Sequence, residues 1–289
     1  MRTSLRMLTT LVIVALAIAA GVWLWHYYLY TPWTRDGRVR ADIVTIAPDV
    51  SGWVSELSVE DTQRVSQGET LFKINQARYR AALEQAQATV ELNRAQLELK
   101  KHEESRRNRL SSRAISNEDR EIARIDTRVA QANLDAAEAQ LESAQIDLKR
   151  TVVTAPADGH ILNLRLSEGN YVNAGNAVMA LVKADSYYVT GYFEETKMSR
   201  IEEGDVARIT LMNDDTELRG HVAGIGRGIA DSNTSPNDQL LPQVEPTFNW
   251  VRLAQRIPVR IELDDVPEGT LLSAGMTATI HVVDDTDAD

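Results

Sequence analysis

The 289-residue chain contains no cysteine. That single absence removes disulfide frameworks, thiolate metal sites and cysteine nucleophiles together. Positive charge is short as well: 31 Lys and Arg stand against 42 Asp and Glu, a net charge of −11. A chain this acidic repels phosphate backbones, which excludes nucleic acid as a partner. Histidine is limited to His26, His102, His160, His221 and His281. None of these is spaced i, i+4, so a zinc site would need residues converging from different domains, and no metal is assigned. Ser167 and Ser273 lie outside any nucleophile-elbow setting. No catalytic constellation is present, and the chain does not read as an enzyme.

Two further absences organise the chain. No Lys, Arg, Asp or Glu occurs between Arg6 and Arg35, and Leu8 to Trp25 is apolar apart from Thr9, Thr10 and Gly21. Such a run is long enough to cross about 30 Å of hydrocarbon. Arg2 and Arg6 precede it, so the positive-inside rule places the N-terminus in the cytoplasm and the rest of the chain outside. Trp23, Trp25, Tyr27 and Tyr28 suit the far headgroup layer. The competing reading is a cleaved signal peptide ending near Ala17-Ile18-Ala19. Both readings export everything after Tyr30.

The second absence is of Gly and Pro, missing throughout Ala77 to Arg150. This segment is rich in Ala, Leu, Glu, Gln and Arg, the strong helix formers. Ile122, Ile125, Val129, Ala132, Ala136, Ala139, Ser143 and Ile146 alternate spacings of three and four, a heptad seam. A second stripe runs through Ala130, Leu134, Ala137, Leu141, Ala144 and Leu148. One seam satisfies a two-helix hairpin; two mean either a neighbouring partner or one broad stripe. The break falls in LSSRAISN, Leu110 to Asn117, where Ser116 or Asn117 can cap the next helix above Glu118 and Asp119. The spacing predicts two antiparallel helices, each about 45–50 Å long. Near the break Arg106, Arg107, Arg109 and Arg113 form a basic cluster in an otherwise acidic chain.

On either side of the helices lies a repeat. Ile46 to Ile74 and Thr154 to Val182 both begin Ala-Pro, with Pro48 and Pro156, and both carry paired glycines, Gly52 with Gly159 and Gly68 with Gly175. Their apolar positions run in step: Val54 with Ile161, Leu57 with Leu164, Val65 with Val172, Leu71 with Val178, Ile74 with Leu181. Alternation between glycine turns predicts short strands with one buried face. A half-motif of about thirty residues cannot bury that face alone, so the copies are expected to pack together. After Lys183, strands are predicted over Tyr187–Phe193, Val206–Met212, Leu218–Ile225, Ile257–Leu263 and Thr277–Val283, with a short helix over Glu194–Ile201. This pattern fits a small antiparallel barrel. Asp231 to Pro246 reads as a loop insertion, and residues 285–289 as an acidic tail.

The arrangement resembles the membrane fusion proteins of the HlyD/EmrA type. The stretches TPWTRDGRVRAD (31–42), IAPDVSG (46–52), RRNRL (106–110), RTVVTAPADG (150–159) and NWVRLAQRIPVRI (249–261) are similar to adaptor subunits of p-hydroxybenzoic acid (aromatic carboxylic acid) efflux pumps. The resemblance implies a multidomain α+β chain. Its parts would be a transmembrane anchor (1–30), a first lipoyl-like half (31–76), an α-helical coiled-coil hairpin (77–151), a second lipoyl-like half (152–184) and an antiparallel β-barrel (185–284). It also implies a periplasmic adaptor, single-pass in the inner membrane. Such an adaptor joins an inner-membrane transporter to a TolC-type outer-membrane channel as a ring of copies, six in the family.

In relatives the hairpin tip carries Arg, Leu and Ser at fixed spacing and meets the channel. Here Arg106 and Leu110 keep the Arg-to-Leu interval, and Ser116 falls one residue early. The docking set implied is Arg106, Arg109, Leu110, Arg113 and Ser116. Carrier lipoyl domains hold a Lys where the halves join. This chain has Asn75, Gln76, Ala77 and Arg78 there, and Lys73 lies inside the strand, so no cofactor is expected. A multidrug adaptor and an envelope coiled-coil tether are the alternative readings.

Overall fold

The computed structural model describes residues 11–22, 31–110, 116–212, 217–229, 254–267 and 269–283. The chain divides into two units, residues 43–184 and residues 1–42 with 185–289.

The first unit joins a β-sandwich to a helical hairpin. Its sheets run β2(Ile43–Ile46)-β9(Met179–Lys183)-β7(Gly159–Leu162)-β4(Arg64–Val65) and β6(Val152–Thr154)-β5(Thr70–Ile74)-β3(Gly52–Leu57)-β8(Tyr171–Val172). The repeat explains this order. The central strands β7 and β9 of one sheet come from the second half and are flanked by β2 and β4 of the first. In the other sheet β3 and β5 come from the first half and are flanked by β6 and β8 of the second. Each half therefore completes the other's sheet, as the shared apolar phase requires. All ten apolar residues matched between the halves belong to one core; Leu71, Ile74, Ile161 and Leu181 are fully buried.

Between β5 and β6 the chain makes α2(Ala77–Arg109) and α3(Asn117–Arg150), 33 and 34 residues. At 1.5 Å per residue each is about 50 Å long. The hairpin core is Val90 and Leu97 of α2 against Ala130, Leu134 and Ala137 of α3, with Leu141 beside them. The second stripe thus faces α2. The heptad seam from Ile122 to Ile146 is exposed along its whole length, Val129 at 54% and Ile122 at 45%.

The second unit is a closed barrel, β1(Trp33–Arg40)-β10(Tyr188–Glu194)-β13(Arg256–Asp265)-β12(Glu217–Ile225)-β11(Val206–Leu211)-β14(Thr277–Val283). Val39, Phe193, Ile209, Leu218, Ile261 and Ile280 fill its interior. The expected short helix is a 3₁₀ helix, Glu195–Arg200. One boundary is corrected. Trp33–Arg40 was expected within the first lipoyl-like half, but it pairs with β10 and β14 and closes the barrel. Its inward positions are Thr34, Gly37 and Val39, and the register slips between Thr34 and Gly37. A bulge and a single apolar inward residue leave no period-2 signal to read.

Residues 11–22 form a helix, α1, whose Leu11, Ile13, Leu16 and Ile18 are more than 60% exposed. No described helix is long and apolar enough to cross a membrane. The rest of the expected span, the 231–246 insertion, the acidic tail and Arg113 lie outside the described residues.

Candidate functional site

The far end of the hairpin is built by helix-end chemistry. Ser116 caps α3: its hydroxyl accepts from the Asp119 amide at 3.0 Å and donates to the Asp119 carboxylate at 2.6 Å. Ser116 also has extended backbone, as an N-cap residue should. Glu118 and Asp119 sit in the first turn, favourable to the helix dipole. At the end of α2, Arg106, Arg107 and Arg109 occupy the last turn, where cations complement the free carbonyls.

The two helix ends are stitched together. Arg107 donates to the Asp119 carbonyl at 3.2 Å, and Arg120 donates to the Leu110 carbonyl at 2.7 Å. Arg109 donates back to the Ser105 carbonyl at 3.3 Å. Arg106, Arg109 and Leu110 remain exposed, Leu110 at 45%. Of the expected docking set, then, three residues present side chains outward, Ser116 is engaged as a cap, and Arg113 is not described. Arg120 is the tip residue that the sequence reading missed. Its signal was a cation in the first turn of α3, the end where the dipole disfavours one.

Ion pairs hold the shaft behind the tip. Lys100 reaches Glu103 at 3.2 Å and Asp126 of α3 at 3.4 Å. The Glu103 hydrogen bond, with that from Asp126, holds the Lys100 amine above its ordinary pKa. At the base, Thr151 is fully buried; its hydroxyl donates to the Leu148 carbonyl at 2.6 Å and accepts from the Gln76 side chain at 2.8 Å. The start of α2 is thereby fastened to the end of α3.

The sandwich glycines make the repeat rigid. Gly68 and Gly175 have φ of +82° and +79°, the left-handed region. Gly68 donates to the Ala155 carbonyl at 2.8 Å and Gly175 to the Pro48 carbonyl at 2.9 Å, so each half's turn is bonded to the Ala-Pro segment of the other. Gly52 pairs with Val172, and Gly159 with Val65, in the same exchange. Pro156 is exposed and its carbonyl accepts from Gln67 at 3.1 Å. At the helix insertion, Lys73 pairs with Glu56 at 2.9 Å within the sheet, which holds the Glu56 carboxyl below its ordinary pKa. No group of three or more His, Cys, Asp or Glu able to hold a metal occurs among the described residues.

Comparison with known proteins agrees with this geometry. The family model for the pHBA AAEA subunit alpha-helical hairpin domain matches residues 77–149, and that for the AAEA-like beta-barrel domain matches residues 186–283. Over 279 residues the chain is 43% identical to the uncharacterized protein YdhJ of Escherichia coli (strain K12), covering 96% of this chain and 98% of that protein. MacA from Actinobacillus actinomycetemcomitans shares the fold at a TM-score of 0.68 and 20% identity, covering 88% of this chain and 79% of MacA. The membrane fusion protein Spr0693 from Streptococcus pneumoniae R6 shares it at 0.63 and 18% identity, covering 86% and 97%. Split sandwich, inserted hairpin, AAEA-like barrel and a relative matched along nearly its whole length all converge: the chain belongs to one family with YdhJ, carries AAEA-type hairpin and barrel domains, and has the fold of the membrane fusion proteins.

Proposed function

We propose that this adaptor joins an inner-membrane transporter to a TolC-type outer-membrane channel and serves the export of aromatic carboxylic acids such as p-hydroxybenzoate. The observation that carries the reading is the hairpin, two helices of about 50 Å that end in exposed Arg106, Arg109 and Leu110. Arginine forms forked hydrogen bonds to carboxylates and carbonyls, and a leucine beside it supplies apolar contact. Arranged around a ring, several such weak contacts add by avidity. A ring of copies is supported by the exposed seam from Ile122 to Ile146, an apolar face that the hairpin itself leaves uncovered.

The N-terminal segment is the anchor in this reading. Helix α1 exposes Leu11, Val12, Ile13, Val14, Leu16, Ile18 and Val22, and a helix apolar all round is at home in lipid. The substrate class is supported by the pHBA name of the matching hairpin family.

The test is retention of labelled p-hydroxybenzoate in cells lacking the gene. Retention is expected to rise on deletion, to fall with an intact plasmid copy, and to stay high with an Arg106→Glu copy that is still expressed and membrane-bound. Unchanged retention on deletion sinks the substrate assignment; full rescue by Arg106→Glu sinks the docking tip.

A further inference from the structure

The barrel unit contains a cleft of about 870 Å³ that no adaptor role requires. Its walls include Trp33, Arg35, Arg38, Tyr192, Lys197 and Arg256. That volume falls within the range of small-molecule sites, roughly 300–1,000 Å³. The bulge between Thr34 and Gly37 in β1 makes it possible. Bulges re-aim side chains, and here Thr34 turns inward to donate to the Tyr192 carbonyl at 2.8 Å while Arg35 stays exposed.

The charges in the cleft do not balance. Four cations, Arg35, Arg38, Lys197 and Arg256, line it with two carboxylates, Asp36 and Glu194. Asp36 is shared by Arg256, through an ion pair, and by Arg38 at 3.8 Å. Glu194 lies 3.8 Å from Lys197. Lys197 is 8% exposed and donates to the Trp33 carbonyl at 3.2 Å, so it fixes the floor. Arg35 has no carboxylate partner among the described residues. Its guanidinium stands 5.4 Å from the centre of the Trp33 ring. In a chain of net charge −11, this is a local surplus of positive charge beside aromatic surface. The Tyr192 hydroxyl, held by Arg40 at 3.3 Å, puts a second ring in the wall.

We propose that this cleft binds an aromatic carboxylate, the carboxylate on Arg35 and the ring beside Trp33 and Tyr192, so that the adaptor itself holds the cargo. The chemistry selects that class. A guanidinium gives a carboxylate two parallel hydrogen bonds. The Trp33 ring already stacks on His281 and carries Arg35 and Lys197, so it offers a planar ligand its edge, and Tyr192 adds a second aromatic contact. The ligand's biological identity rests on the efflux reading above; the binding itself does not.

The experiment is calorimetric titration of the full-length protein in detergent with p-hydroxybenzoate. One molecule per chain is expected to bind with a Kd of about 1 mM or tighter. Arg35→Gln, an exposed position, is expected to weaken binding about tenfold or more, and Arg35→Lys less. Arg227→Gln, a surface arginine with a 90% exposed side chain, is expected to bind as the parent does. Acetate and p-hydroxybenzyl alcohol, which each lack one half of the ligand, are expected not to compete.

No saturable binding, equal binding by Arg35→Gln, or full competition by either control overturns the proposal. The cellular assay keeps the two readings apart. Export that depends on the protein without binding in vitro removes the cleft and leaves the adaptor. Binding that Arg35 controls, without any effect of deletion on retention, keeps the site and removes the export assignment.

Discussion

The sandwich and the hairpin handle apolar residues in opposite ways. In the sandwich, the apolar positions that alternate in sequence are those that are buried, and Leu71, Ile74, Ile161 and Leu181 reach zero exposure. In α3 the more conspicuous stripe, with Ile122, Ile125, Val129 and Ile146, lies in the open, while the hairpin closes over Ala130, Leu134, Ala137 and Ala144. Alanines let the two helices approach closely but bury little area each. The β-branched residues Ile122, Ile125, Val129 and Ile146 of α3 stay on the outer face, while Val90, Leu97 and Leu134 are the larger residues of the hairpin core. A β-sandwich of two interlocked halves is finished by its own chain, whereas this hairpin leaves one apolar face uncovered.

Core truncation should separate the two regions most sharply. Leu71→Ala in the sandwich is expected to cost about 2–5 kcal/mol, because the rigid interlocked sheets cannot collapse into the cavity. Denaturant unfolding of the full-length protein reads it; a loss well under 1 kcal/mol would show a sandwich far looser than its burial implies. A smaller effect is expected at the tip. Ser116→Ala removes the α3 cap and should cost about 1 kcal/mol locally. Amide exchange in the first turn of α3 should then quicken with the sandwich amides unchanged. If exchange does not change, Arg107 and Arg120 hold the turn without the cap.

The outer seam should respond least of the three to stability measurements. Ile125→Gln with Val129→Gln replaces side chains that are 42% and 54% exposed. The single chain is expected to lose no more than about 0.5 kcal/mol. Cross-linking between copies in membranes is expected to fall markedly. Unfolding of the hairpin in the double variant would mean that the seam belongs to the hairpin core after all.

These contrasts show where the sequence was legible. The repeat could be read because period-2 alternation and the paired glycines Gly68 and Gly175 are both local signals, and the ten matched apolar residues all reached one core. Both helical stripes of α3 were visible, but heptad spacing carries no information about which face meets α2; that depends on where the sandwich launches each helix. The first barrel strand was hidden because its bulge breaks the alternation and its inward residues are Thr34 and Gly37. The same bulge concealed the cleft, whose members are distributed over 33–38, 192–197, 256 and 277 and meet only when the barrel closes. At the tip, the arginines were legible as a charge cluster, and the cap at Ser116 as a residue type. Arg120 was legible only as a cation at the helix end where the dipole disfavours one; its partner, the Leu110 carbonyl, was not.

The barrel offers a final and smaller contrast with the hairpin, in its response to mild acid. His281 stands on β14, its ring stacked 6.0 Å from that of its cross-strand neighbour Trp33. Burial, then the positive charge of Arg208, lowers its pKa below the ordinary 6.5, and Glu217 only partly opposes this. A histidine with a depressed folded pKa favours the neutral ring in the native state. The unfolded chain therefore takes up its proton first as pH falls below 6.5, and the native state loses stability until the folded pKa has also been passed. The ring is partly solvated, so the effect is a small fall in barrel melting temperature as pH drops from 7 through the mildly acidic range. The shift at Lys100 has the opposite direction and falls in the alkaline range, so the hairpin should show no matching change over this interval. His281→Asn should flatten the barrel's dependence; an unaltered slope would place the acid sensitivity on carboxylates elsewhere.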